Sequence, residues 1–454
     1  GNDAFQEVDI TGITLPITKN NYIVRKTEDL AAIIKEAFYI ARSGRPGPVL
    51  VDLPKDILLG KCRYKYPEKV HRKGYNPSTK GNLRQIKIAA KKIAESKKPL
   101  IIAGGGINNA NASEEFRKMV LKANIPVVTT FMGIGCFPQN HPLFLGMLGM
   151  YGQYTANKVT SNADLIIALG TRFDDRITGN LKEFCPQTEI IHIDIDPAEI
   201  GKNVAAKIPI VGDLKQILHQ LNNYIEEMDN SSWLKDISEI KGEIPILDGK
   251  ENDKNELKPK YIFNCINDFF KGEAIIVTDV GQHQMWTANY CQFVHPRTLI
   301  SSGGLGTMGF GLPAAIGAKI GCPDRAVLCI SGDGSFQMNI QELATAIYNQ
   351  LPIIVILINN GCLGMVRQLQ ELFCEQRYVS TCLAGSPDFI KIVEGYGGVG
   401  FKVKSNDEFA STLEKANNMN QFVLIDCQIS EQEKNFPMVK PGASISQMIG
   451  VDQS

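Results

Sequence analysis

Residues 328–365 read LCISGDGSFQMNIQELATAIYNQLPIIVILINNGCLGM. Two short, β-rich apolar runs bracket an amphipathic helical pattern, and each run ends in residues unlike its interior. Asp333, between Gly332 and Gly334, follows the first; Asn359 and Asn360 follow the second. Strand, helix and strand in this order predict a parallel crossover. In an open parallel sheet, ligands bind beyond the carboxyl ends of the strands, where loops lead into helix N-termini. The acid and the amides are expected at that edge. Glycines beside Asp333 leave room for a bulky anion, and a helix expected from near Phe336 aims its positive end at the same place. Mg²⁺ takes hard oxygen ligands, commonly one or two protein groups plus phosphate oxygens. Asp333, the side-chain carbonyl of Asn360 and a backbone carbonyl near Cys362 can supply the protein's share. Either feature alone reads equally as a helix cap or a turn; the pairing at matched strand ends carries the inference.

The same alternation of apolar runs and helical stretches recurs along the chain and predicts an α/β protein. At 454 residues it exceeds one hydrophobic core. Two doubly wound parallel-sheet domains are expected, a central one (83–228) and a C-terminal one (259–430). They follow the C-terminal remnant of a third α/β domain (1–57). Residues 58–82 and 229–258 read as linkers, and 431–454 as a polar tail. Residues 1–57 offer one helix and one or two strands, too little to cover a sheet, so the chain is expected to begin inside a domain.

Forty-eight basic residues balance 48 acidic ones, which argues against nucleic-acid or membrane-surface binding. No apolar run reaches the roughly 18 residues of a membrane span. A cytoplasmic or organelle-matrix location is the expectation. Eleven cysteines, dispersed and without a C-x-x-C pair, read as reduced core thiols rather than disulfides or zinc ligands. The run GLGTMG (304–309) matches G-x-G-x-x-G, with Asp333 near the distance of a ribose-binding acid, so a Rossmann dehydrogenase stands as an alternative. Its acid would end a strand alone; here it is flanked by glycines and answered by Asn360.

GDG, 24 residues and NN resemble the thiamine diphosphate signature, in which the acid and the second asparagine bind the metal on the cofactor. Over essentially its whole length the chain resembles the catalytic subunit of the acetohydroxyacid (acetolactate) synthase family. The matching stretches are DAFQE, SGRPGPVLVDLPKD, AGGGI, MLGMYG, RFDDR, HIDIDP, TDVGQHQMW, SSGGLGTMGFGLPAAIGA, GDGSFQMNIQEL and NNGCLGMVRQ. The resemblance implies decarboxylation of pyruvate and joining of its two-carbon unit to pyruvate or 2-ketobutyrate, a step of branched-chain amino-acid synthesis. It implies thiamine diphosphate, Mg²⁺ and FAD as cofactors, a homodimer or homotetramer with shared sites, and a regulatory small subunit.

Carried over residue by residue, Gly281, Gln282 and His283 would lie at the diphosphate, and Gly306, Met308 and Met365 at the rings. Gly332, Gly334, Ser335, Leu363 and Gly364 would also contact the cofactor. Arg45, Gly104, Gly105, Gly106, Arg172, Asp194 and Asp213 would hold the flavin nucleotide. Arg176 would pair with the second ketoacid's carboxylate, a geometry that suits guanidinium. Phe5, Gln6 and Lys55 would line the entrance across a dimer interface. Two positions depart from the family pattern. Leu369 stands where tryptophan is usual, which implies weaker preference for 2-ketobutyrate and tolerance of inhibitors that stack there, and Tyr151 stands in place of histidine. The family's activating glutamate is expected before Gly1, so this chain alone is expected to be inactive or nearly so. Other thiamine diphosphate enzymes, a ketoacid decarboxylase or pyruvate oxidase, and a non-catalytic nucleotide-binding protein remain alternatives.

Overall fold

The computed structural model describes residues 4–70, 72–242 and 256–451. Near the N-terminus, β1 (Asn20–Ile23) and β2 (Val49–Asp52) pair in parallel, and helix Leu30–Arg42 crosses between them. Phe5, Ile13, Leu15, Ile17 and Phe38 of this block are exposed. Arg45 links this block to the next domain, its guanidinium pairing with Glu199 at 2.7 Å and Asp196 at 3.3 Å.

The central sheet is built from β3 (Pro99–Ala103), β4 (Val127–Thr129), β5 (Phe144–Met147), β6 (Leu165–Leu169), β7 (Glu189–Asp194) and β8 (Ile208–Val211). Its order is β5-β4-β3-β6-β7-β8, all parallel. β3 and β6 are fully buried, which explains why they read as unbroken apolar runs rather than alternating ones. The C-terminal sheet comprises β9 (Ile275–Thr278), β10 (Leu299–Ser301), β11 (Val327–Gly332), β12 (Ile354–Asn359), β13 (Val399–Val403) and β14 (Val423–Gln428). It too is parallel, in the order β10-β9-β11-β12-β14-β13. Helices cover both faces of each sheet, giving two apolar layers per domain. The expected α/β class with two doubly wound sheets is what the chain adopts.

Three stretches differ from their sequence reading. Residues 229–258 were expected to be a linker, yet Ser231–Gly242 is a helix whose Trp233, Ile237 and Ile240 pack into the central core, with the Trp233 indole donating to the Pro99 carbonyl at 3.1 Å. Its sparse charged pattern hid a narrow apolar stripe; residues 243–255 of that expected linker lie outside the described residues. The expected polar tail forms β15 (Met438–Val439) and β16 (Met448–Ile449), an antiparallel ribbon. Met438, Val439, Ile445 and Met448 are buried, and Val439 donates to the Met150 carbonyl at 2.7 Å. Finally, the helix expected after Asp333 is broken: one α-helical turn at Asp333–Phe336, a 3₁₀ stretch at Gln337–Glu342 and a helix at Leu343–Tyr348. Asn339 is non-helical there because its amide reaches out to the Gly309 carbonyl at 2.8 Å.

Candidate functional site

Strand order in the C-terminal sheet reverses direction between β9 and β11, which opens a crevice beyond their carboxyl ends. Gly281 and Gln282 follow β9, Gly332 and Asp333 end β11, and Asn360 follows β12. These residues, with His283, Met308, Gly334, Ser335, Cys362, Leu363, Gly364 and Met365, line one cavity. Residues up to 84 positions apart in sequence thus meet at three adjacent strand ends.

Asp333 is 1% exposed, and its Oδ2 has no hydrogen-bond partner in the protein. Burial pushes its carboxyl up to about 7, the neighbouring Asp426 carboxylate adds to this, and the N–H groups of Asp333, Gly334 and Gly361 oppose it. A buried oxygen without a donor is the group a cation would satisfy. The two asparagines have different tasks. Asn359 donates to Asp426 at 2.9 Å and accepts from the Gly361 N–H at 3.2 Å, which shapes the loop. Asn360 donates to Gln282 Oε1 at 3.2 Å and accepts from the Cys362 N–H at 3.3 Å, which leaves its carbonyl oxygen a free lone pair.

The glycines are required by contact. A Cβ on Gly364 would strike Gln282 Oε1 and lie 2.5 Å from Asn360 Nδ2; one on Gly334 would lie 2.7 Å from Leu363; one on Gly332 would lie 3.0 Å from the His283 ring. Burial pushes His283 down to about 3, so its ring is neutral at physiological pH, and its Nε2 has no protein partner. Ser335 Oγ donates to the Val280 carbonyl at 2.9 Å and steadies the turn.

Several supporting residues escaped the sequence reading. Asp279, 1% exposed, accepts from Val280, Gly309 and Gly311 N–H groups at 2.8, 2.9 and 2.9 Å. It therefore fixes the glycine run that presents Gly306 and Met308, and Gly306 takes φ +62° in that run. An acid two residues before the glycine of TDVG was the available signal. Gln282 was expected on the diphosphate; its amide is engaged elsewhere, donating to Gln368 Oε1 and the Glu433 carbonyl, both at 2.9 Å. Asn435 completes the network by donating to the Gln282 carbonyl at 3.2 Å and to Gln368 Oε1 at 2.9 Å. No local pattern marks Gln368 or Asn435, since what they do depends on the tail folding back.

Other expected residues lie apart from this cavity. Gln6 and Lys55 are exposed on the N-terminal block and line no part of it. Leu369 is half-buried on helix Gly364–Phe373, one residue beyond Gln368 and outside the cavity lining. Arg176 is exposed, paired with Asp175 at 2.8 Å and 3.1 Å from the Met150 sulfur. Tyr151, next to Met150, has its hydroxyl 2.9 Å from the Met365 sulfur.

The central sheet has its own reversal, between β3 and β6. Gly104–Gly106 lie at this point, but their freedom serves packing: a Cβ on Gly104 would strike the Gly170 carbonyl, and one on Gly106 would lie 2.6 Å from Gly170 Cα. Arg172 is exposed at the same edge, 3.6 Å from Asp174. Asp194 ends β7, is buried, and accepts from the Asp196 N–H at 2.9 Å; burial raises its carboxyl. Asp213, expected at the flavin nucleotide, caps helix Leu214–Leu221 by accepting from Gln216 N–H at 3.0 Å.

The chain is similar to known proteins over nearly its whole length. Residues 279–427 match the thiamine pyrophosphate enzyme C-terminal TPP binding domain, and residues 86–221 match the thiamine pyrophosphate enzyme central domain. The chain is 46% identical over 456 residues to an acetolactate synthase large subunit of Buchnera aphidicola, covering 99% of this chain and 80% of the relative. It is 43% identical to acetolactate synthase isozyme 3 large subunit of Escherichia coli, covering 99% and 80%. A probable acetolactate synthase large subunit of Methanococcus aeolicus is 46% identical, covering 100% and 78%. Among the described residues no helix is long and apolar enough to cross a membrane.

Proposed function

Because the chain belongs to the acetolactate synthase family of thiamine pyrophosphate enzymes, we propose that the cavity beyond β9, β11 and β12 holds thiamine diphosphate through a Mg²⁺ ion. Asp333, the Asn360 side-chain carbonyl and the Cys362 backbone carbonyl are the protein's ligands. The observation that carries this is the buried, unpartnered Asp333 Oδ2 beside a glycine-lined space, because a carboxylate in that position costs free energy until a cation reaches it. Bound cofactor supplies the electron sink for decarboxylating a 2-ketoacid and passing on its two-carbon unit. The chain's own residues do the rest. Asn360 is oriented by Gln282, the Gly309–Gly311 turn by Asp279, and Met308 and Met365 present apolar surface that excludes water. Arg176, which contacts the Met150 sulfur, would offer a guanidinium to the carboxylate of the acceptor ketoacid. Leu369, where the family usually has an aromatic residue, would weaken the preference for 2-ketobutyrate as acceptor.

FAD belongs to the proposal through the family resemblance, with the β3/β6 reversal and the exposed Arg172 as physical support. Arg45, Asp194 and Asp213 each have protein partners, so they would shape such a site rather than wait open in it. A homodimer or homotetramer belongs to the proposal through the family resemblance alone, and relatives named as large subunits support a regulatory small subunit. The test is calorimetric titration of the purified protein with thiamine diphosphate at fixed Mg²⁺. Saturable binding lost in Asp333→Ala is expected; equal binding with EDTA in place of Mg²⁺ would refute the metal-mediated site.

A further inference from the structure

The loop that bears Asn360 is paired with a second segment. Leu363 donates to the Thr381 carbonyl and Leu383 to the Gly361 carbonyl, both at 2.8 Å, so Cys362 and Cys382 face each other as an isolated antiparallel bridge. The hydrogen bonds flank the pair and do not join its own two residues. In that arrangement the Cα atoms stand about 4.5 Å apart with side chains on one face, and a disulfide needs about 4.4–6.8 Å. Both thiols are free, Cys382 exposed and Cys362 buried.

We propose that Cys362 and Cys382 are a redox modification site, oxidised to a disulfide by a low-molecular-weight disulfide such as oxidised glutathione. Cys382 is the sulfur such a reagent reaches. Its attack breaks the reagent's S–S bond, forms a mixed disulfide and releases one glutathione thiol, which carries away the proton. The Cys362 sulfur then attacks the Cys382 sulfur, forming the protein disulfide and releasing the second glutathione thiol with the second proton. Two protein thiols are oxidised and one small disulfide is reduced to two thiols. Cys374, also exposed, ends helix Gly364–Phe373 and has no strand partner among the described residues. The product ties the loop holding Asn360 to its neighbour. Its effect on cofactor exchange rests on the function proposed above, whereas formation of the bond does not.

The experiment treats the intact protein with excess oxidised glutathione and maps peptides by mass spectrometry without reduction. A Cys362–Cys382 linked peptide, reversed by dithiothreitol, is expected, with Cys362→Ser arrested as the glutathione adduct on Cys382. Glutathione retained on Cys382 of the parent while Cys362 remains alkylatable, or a Cys374–Cys382 link, would overturn the proposal. A second arm follows release of preloaded thiamine diphosphate. Oxidised parent is expected to release it about tenfold more slowly than reduced parent, roughly 1.4 kcal/mol, with no redox effect in Cys382→Ser. A linked peptide with unchanged release would overturn the regulatory role, and absence of binding in reduced parent would count against the proposed function instead.

Discussion

Neutralising Asp333 in the cofactor-free protein should stabilise it. Burial moves this carboxyl from 3.8 to about 7, so the fold disfavours its charged form. In the unfolded chain the group ionises near 3.8, and the fold therefore loses stability as pH rises from about 4 to 7, with the full penalty above 7. That penalty is about 4 kcal/mol. In Asp333→Asn the charge is gone, but the amide left in its place lacks partners, at a cost of about 1–3 kcal/mol. The net gain at pH 8 is about 1–3 kcal/mol. At pH 5 the penalty in the parent falls below about 2 kcal/mol and the gain disappears. Chemical denaturation of both proteins at pH 5 and 8, with and without Mg²⁺ and thiamine diphosphate, reads all of this. The parent should gain stability from the ligands and the variant should not. A metal-free variant no more stable than the parent at pH 8, or a variant stabilised by ligands as much as the parent, would refute the reasoning.

Other perturbations test the surrounding structure. Gly364→Ala places a methyl group against Gln282 and Asn360, so it should weaken Mg²⁺–thiamine diphosphate binding by about tenfold or more, roughly 1.4 kcal/mol, with a smaller change in stability; calorimetric titration checks this. Asp279→Ala strands three backbone donors and should cost about 3 kcal/mol or more, read by urea denaturation. Trp233→Ala should destabilise the central domain by about 3–5 kcal/mol, because the indole is 2% exposed; native-state hydrogen exchange should show lost protection in the central sheet.

Sequence by itself determined the α/β class, the two sheets and the strand ends at which Asp333 and Asn360 stand. These follow from local physics: apolar runs of strand length, helical periodicity between them, and polar residues where buried strands stop. The pattern could also rank Asp333 with Asn360 as a pair, because parallel strands put their carboxyl ends on one edge. What only tertiary structure decided is which group supports which. Asp279 holds the glycine run 304–311 from another strand, Gln282 is engaged by Gln368 and Asn435 across more than 80 and 150 positions, and Cys362 meets Cys382 through a returning loop. The tail and the 231–242 helix were read as polar because few apolar residues carry their packing. Those residues are buried only once a distant surface is present to receive them, and no local pattern in the chain records that surface.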